Sequence, residues 1–82
     1  MKFVWSIEAQ KNLESLDAPI QKRIAEKMRW FQTQSDPLSF TEPLTGIRDI
    51  FRFRIGAYRI FVHPDGVVLT VLRIRKRSEA YR

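Results

Sequence analysis

The sequence contains no cysteine, only three glycines and a single histidine. Without cysteine there is no disulfide, thiolate nucleophile or thiolate ligand for zinc, so a staple-free intracellular protein is expected, with a cytoplasmic location. The glycines Gly46, Gly56 and Gly66 are isolated, so no glycine-rich loop exists to cradle a phosphate. His63 precedes Pro64 and reads as a turn residue, not a catalyst. Asp36, Glu42, Asp49 and Asp65 are dispersed without metal-ligand spacing, so neither metal nor cofactor is expected. Long hydrophobic runs are also missing. The longest, GVVLTVL, is far short of the ~20 residues a membrane-spanning helix needs, and the amino-terminal stretch meets glutamates before any continuous apolar run. Neither a signal peptide nor a membrane association is expected.

What the chain has in excess is positive charge, placed unevenly. Its 82 residues carry a formal net charge of +6. Residues 1–47 hold six basic and six acidic side chains, whereas residues 48–82 hold nine basic and three acidic ones, so the whole excess lies in the second part. Charge that merely solubilises tends to be interspersed in sign. A one-signed segment points to a polyanion or to an acidic protein that masks it. A chain this short forms one domain, burying only about 60 to 65% of the surface its unfolded form exposes.

The pattern along the chain predicts a small α+β fold. KFVWS reads as a first strand with Ser6 as a helix cap, and Ile7, Ala9, Leu13 and Leu16 give a helical stripe. Asp17 and Pro19 restart a second, longer helix to about Gln34, with Ile20, Ile24, Met28 and Phe31 on one side. SDPLSFTEPLTG reads as a connecting loop. IFRFRI and AYRIFV, separated by Gly56 and Ala57, predict a hairpin with a type II′ turn, and HPDG predicts a second turn before a last strand, GVVLTVLRIR. The expected order is β-α-α-β-β-β, an antiparallel-rich sheet with two helices on one face and the other face open. Trp5 and Trp30 are expected in the core or an interface, not as platforms for bases.

On the open face the alternation of Phe51, Phe53 and Ile55 with Arg52 and Arg54 turns the arginines away from the helices. Arg59 belongs to the neighbouring strand, and its face depends on the hairpin register. Arg73, Arg75, Lys76 and Arg77 follow at the end of the last strand. Guanidinium groups grip phosphates in bidentate fashion, and an aromatic ring such as that of Tyr81 can stack an unpaired base, so the face suits RNA. Cleavage through a ribose 2′-hydroxyl needs a proton acceptor, stabilisation of the phosphorane and a proton donor. Arginine serves the second need and, with a pKa above ~12, serves the first poorly. Tyr81 would exchange protons only if cationic surroundings depressed its pKa from ~10.

The block LTGIRDIFRFRIGAYRIFV and the tail VLRIRKRSEAYR, in this order and spacing, resemble the RelE/ParE superfamily of toxins from type II toxin-antitoxin modules. The resemblance covers essentially the whole chain and is closer to the RelE branch. It implies an endoribonuclease that cleaves mRNA in the ribosomal A site without a metal, contacts 16S ribosomal RNA and is blocked by a cognate antitoxin. By position it implies catalytic roles for Arg52, Arg54, Arg59, Arg77 and Tyr81, with RNA-binding roles for Arg52, Arg54, Arg73, Arg75 and Lys76. Arg75 is the alternative to Arg77. Arginines stand at 52 and 54 where RelE proteins often have lysines, and Arg75 where many relatives have glycine. The ParE branch shares the fold, inhibits DNA gyrase and has no nuclease activity.

Overall fold

Ser6 ends one element and starts the next, in a computed structural model that describes residues 1–80. Strand β1 (Lys2–Trp5) stops there, and the Ser6 hydroxyl caps helix α1 (Ile7–Glu14) by accepting the Ala9 N–H at 3.0 Å. The same hydroxyl donates to the Leu72 carbonyl at 2.8 Å, tying the helix start to a distant part of the chain. The apolar stripe of α1 is buried only in part. Ala9 is in the core and Leu13 and Leu16 pack against it, whereas Ile7, at the first helical position, remains 72% exposed.

Helix α2 (Ala18–Thr33) starts at Asp17, whose side chain makes no capping bond; Pro19 supplies a preset first turn instead. Gln21 reaches back with its amide Nε2 to the carbonyls of Glu14 and Leu16, so the two helices share their junction's hydrogen bonds. Ile24, Met28 and Phe31 form the buried stripe, with Ile20 at its margin.

The expected connecting loop contains a 3-10 turn (Pro37–Phe40) and a two-residue strand β2 (Glu42–Pro43), neither of which composition marks. Then follow β3 (Phe51–Ile55), β4 (Tyr58–Asp65), β5 (Val68–Lys76) and a helical turn α3 (Arg77–Ala80). The sheet runs β1-β5-β4-β3-β2, with β1 parallel to β5 and the other pairs antiparallel. Strand β4 extends through His63 and Pro64, so HPDG is not the turn it resembles. Pairing of β4 with β3 ends at Val62 opposite Phe51, and beyond it β4 is an edge where a proline lacking N–H is tolerated. His63 is therefore a strand residue, its Nδ1 2.9 Å from the Asp49 carbonyl oxygen.

One irregularity decides which way the end of β5 faces. Val62 stands opposite Val71, but Phe61 stands opposite Arg73, so Leu72 is an extra residue in β5. A one-residue shift exchanges the faces. Leu69 and Val71 before the bulge and Ile74 after it all join the core, while Arg73 and Arg75 turn to the other side. The core face is completed by Phe53, Ile55, Ile60 and Val62 against α2, with the Phe53 ring stacked on Phe31 at 4.3 Å between centroids.

Strand β1 covers β5 only as far as Val71. Helix α1 takes over along that edge: the Ile74 N–H, without a strand partner there, donates to Asn12 Oδ1 at 2.9 Å. This location brings the first turn of α1 to the border of the open face. Among the described residues no helix is long and apolar enough to cross a membrane.

Candidate nucleic-acid interface

The β3–β4 hairpin sets the site. Ile55 stands opposite Tyr58 across Gly56 and Ala57, and Gly56 has φ of +58° while Ala57 does not share the positive sign, as a type II′ turn requires. A two-residue loop places Arg54 directly opposite Arg59, and Arg59 is in turn opposite Arg75. Three arginines thus form one row across three adjacent strands, a span of about 10 Å at ordinary strand spacing. The next row is Arg52, Phe61 and Arg73. Phe61 is buried yet does not belong to the core cluster, which fits its place on the opposite face.

Two carboxylates border the rows. Glu42 of β2 stands opposite Arg52; its Oε2 accepts from Arg52 Nη2 at 3.2 Å and its Oε1 from Arg54 Nη1 at 3.1 Å. Glu8 of α1 lies on the other border, with Oε2 3.4 Å from both Arg73 Nε and Arg75 Nη2. The hydrogen bonds from Arg52, then Arg54, hold the Glu42 carboxyl below its ordinary pKa, outweighing the desolvation that acts in the other sense. Arg75 is further fixed by Nη1, which donates to Asn12 Oδ1 and to the Ile74 carbonyl, both at 2.9 Å.

Arg59, at the centre, differs from its neighbours. It is only 2% exposed, and its Nη1 donates to the carbonyls of Gly56 at 3.0 Å and Tyr58 at 2.9 Å, closing the hairpin from beneath. Its Nε is buried and has no hydrogen-bond partner among the described residues. A buried guanidinium with an unsatisfied N–H is a costly arrangement that persists where the surrounding structure holds it.

Of the other expected residues, Lys76 stands opposite Tyr58 and shares the helix side with Ile74, where it lines a groove with Ile20, Arg23 and Ile55. It is therefore on the face away from Arg75. Arg77 begins α3 and is exposed, and its backbone N–H donates to the Ala57 carbonyl at 2.6 Å, so it sits beside the hairpin turn. Tyr81 lies outside the described residues. Sequence reasoning missed Glu8, Asn12 and Glu42, because each reaches the arginines from a remote part of the chain. It had the means to place Arg59, since the two-residue loop itself dictates the pairing with Arg54.

Five guanidinium groups against two carboxylates, spread over a sheet surface, can hold an extended polyanion and stabilise charge on a pentavalent phosphate. None of the five is a proton acceptor at neutral pH.

Residues 3–81 match the family model described as the ParE toxin of the type II toxin-antitoxin system, parDE. A search of curated protein sequences found no match. Among solved structures, the chain is similar to the toxin-antitoxin complex RelBE2 of Mycobacterium tuberculosis, at 23% identity and TM-score 0.78 over 93% of this chain and 96% of that one. It is also similar to the RelB-RelE antitoxin-toxin complex of Methanococcus jannaschii, at 22% identity and TM-score 0.76 over 95% and 94%. The chromosomal ParDE system of Pseudomonas aeruginosa aligns at 14% identity and TM-score 0.72 over 93% and 95%. At these identities the likeness establishes the fold.

Proposed function

The chain belongs to the ParE toxin family of type II toxin-antitoxin systems, within the RelE/ParE superfamily, and we propose that it is a ribosome-dependent mRNA endonuclease held in check by a cognate antitoxin. The observation that carries this reading is the row Arg54, Arg59 and Arg75, three guanidiniums at paired positions on adjacent strands of the sheet, on the face away from the α2 core. Arg54 and Arg75 would grip the phosphates on either side of the scissile bond, with Arg52 and Arg73 following the backbone. The central Arg59 and the exposed Arg77 would stabilise the phosphorane, and Tyr81 would stack the neighbouring base and assist proton transfer. No metal enters this scheme. The substrate would be mRNA in the A site of a translating ribosome, with 16S ribosomal RNA alongside, in the cytoplasm. Solved relatives described as toxin-antitoxin complexes support a cognate antitoxin as partner, and an acidic segment of it would complement the cationic face.

A second reading has its own support. The matching family model is that of ParE toxins, and Arg59 spends its Nη1 on backbone carbonyls, which suits a protein-binding surface as well as a nuclease. In that reading the chain inhibits DNA gyrase and cuts nothing. Sequencing of RNA 5′ ends after brief induction, with and without a translation block, separates the two. Codon-positioned cuts that disappear with the block and in Arg77→Ala support the nuclease. Inhibited supercoiling by the purified chain, without RNA cuts, makes it a gyrase inhibitor.

A further inference from the structure

The arginine face carries its own anions. Glu42 spans Arg52 and Arg54 on the β3 side, and Glu8 spans Arg73 and Arg75 on the β5 side. Each carboxylate comes from an element outside the hairpin, β2 or α1, and each engages two guanidiniums at once. Between them lies Arg59, whose buried Nε has no hydrogen-bond partner among the described residues. We infer that Glu8 and Glu42 are built-in counter-anions that an incoming phosphate chain must displace, and that they set how tightly and how salt-sensitively this face binds polyanions.

The physical basis is competition for the same donors. Both glutamates and three of the four arginines concerned are well exposed or half-exposed, so these ion pairs are weak in water and open readily. A phosphate replacing the carboxylate regains charge-assisted, bidentate hydrogen bonds, but the displaced carboxylate stays nearby and repels it. The four outer arginines, the accessible donors of the face, are therefore discounted for binding until a carboxylate gives way, while Arg59, 2% exposed and bonded to the Gly56 and Tyr58 carbonyls, adds its charge from beneath. The same device lowers non-specific adhesion of a strongly basic surface to nucleic acid.

This inference rests on the polyanion-binding part of the proposed function, and its test keeps the two apart. Binding of a fluorescent single-stranded RNA and of inorganic polyphosphate is measured over a salt series for the wild type, Glu8→Gln, Glu42→Gln and Asp65→Asn. Asp65 ends β4, six residues from Arg59, about 20 Å away at ~3.4 Å per residue, and its change alters net charge equally. Folding of each variant is checked by circular dichroism. The expected result is roughly threefold or greater tightening for each glutamate variant on both probes, with the salt slope steeper by about 0.7 per added phosphate contact. Asp65→Asn stays near the wild type. Unchanged or weaker binding of the folded glutamate variants overturns the inference, as does an equal gain in Asp65→Asn. If polyphosphate binding tightens as expected but no variant binds RNA, the counter-anions stand and the RNA reading falls.

Discussion

Arg54 and Arg59 stand directly opposite each other across the β3–β4 hairpin, yet the Arg54 side chain is 60% exposed and Arg59 is only 2% exposed. The pair shares a face but not a task. Arg54 offers its guanidinium to solvent and Glu42, whereas Arg59 is bound into the turn through Gly56 and Tyr58.

Replacing Arg59 by alanine is expected to destabilise the fold by about 2 kcal/mol, since two charge-assisted bonds to the Gly56 and Tyr58 carbonyls and the packing of the buried stem are lost together. Arg54→Ala should stay within about 0.5 kcal/mol of the wild type. Urea unfolding measures both. Equal losses would refute the division of labour between the two arginines.

Phe53 is wholly buried, stacked on Phe31 at 4.3 Å and 6.1 Å from the Phe3 ring. Phe53→Ala should cost about 3 to 5 kcal/mol, a large share of the ~5 to 10 kcal/mol available to so small a domain. The variant is expected to melt far below the wild type in a calorimetric scan.

Asn12→Ala removes the acceptor for the Ile74 N–H and for Arg75 Nη1 at once. The β5 edge then keeps a donor without a protein partner, at a cost of about 1 to 2 kcal/mol. Amide hydrogen exchange at Ile74 should accelerate, more than at Ile60 in the middle of the sheet.

Glu42 has its carboxyl pKa lowered in the folded state by Arg52 and Arg54, so its contribution is fully present above the unfolded-state pKa and is lost as pH falls through the folded one. The stability difference between the wild type and Glu42→Gln should be constant above about pH 5 and should shrink steadily on further acidification. Denaturation midpoints measured between pH 7 and pH 3 provide the check. A difference that grows toward low pH would reverse the assigned sign.

Much of the fold and half of the site were legible in the chain itself. The period-two alternation of Phe51, Phe53 and Ile55 with Arg52 and Arg54 was enough to separate a core side from a cationic side, because it depends only on neighbouring backbone geometry. Ser6 as a cap, the α2 stripe and the two-residue turn at Gly56 are local in the same sense. His63 and Pro64 misled, since their turn-like composition does not reveal that β3 has already ended beside them.

What the sequence determined by itself was the inventory: a small staple-free α+β domain with its surplus charge gathered in the last strands. The tertiary structure decided where those charges act. Val71, Arg73 and Arg75 share one parity, and only the bulge at Leu72, a matter of pairing with β4, sends the valine inward and the arginines outward. The burial of Arg59 and the reach of Glu8, Asn12 and Glu42 across the sheet are likewise contacts between segments far apart in the chain, which no local pattern encodes.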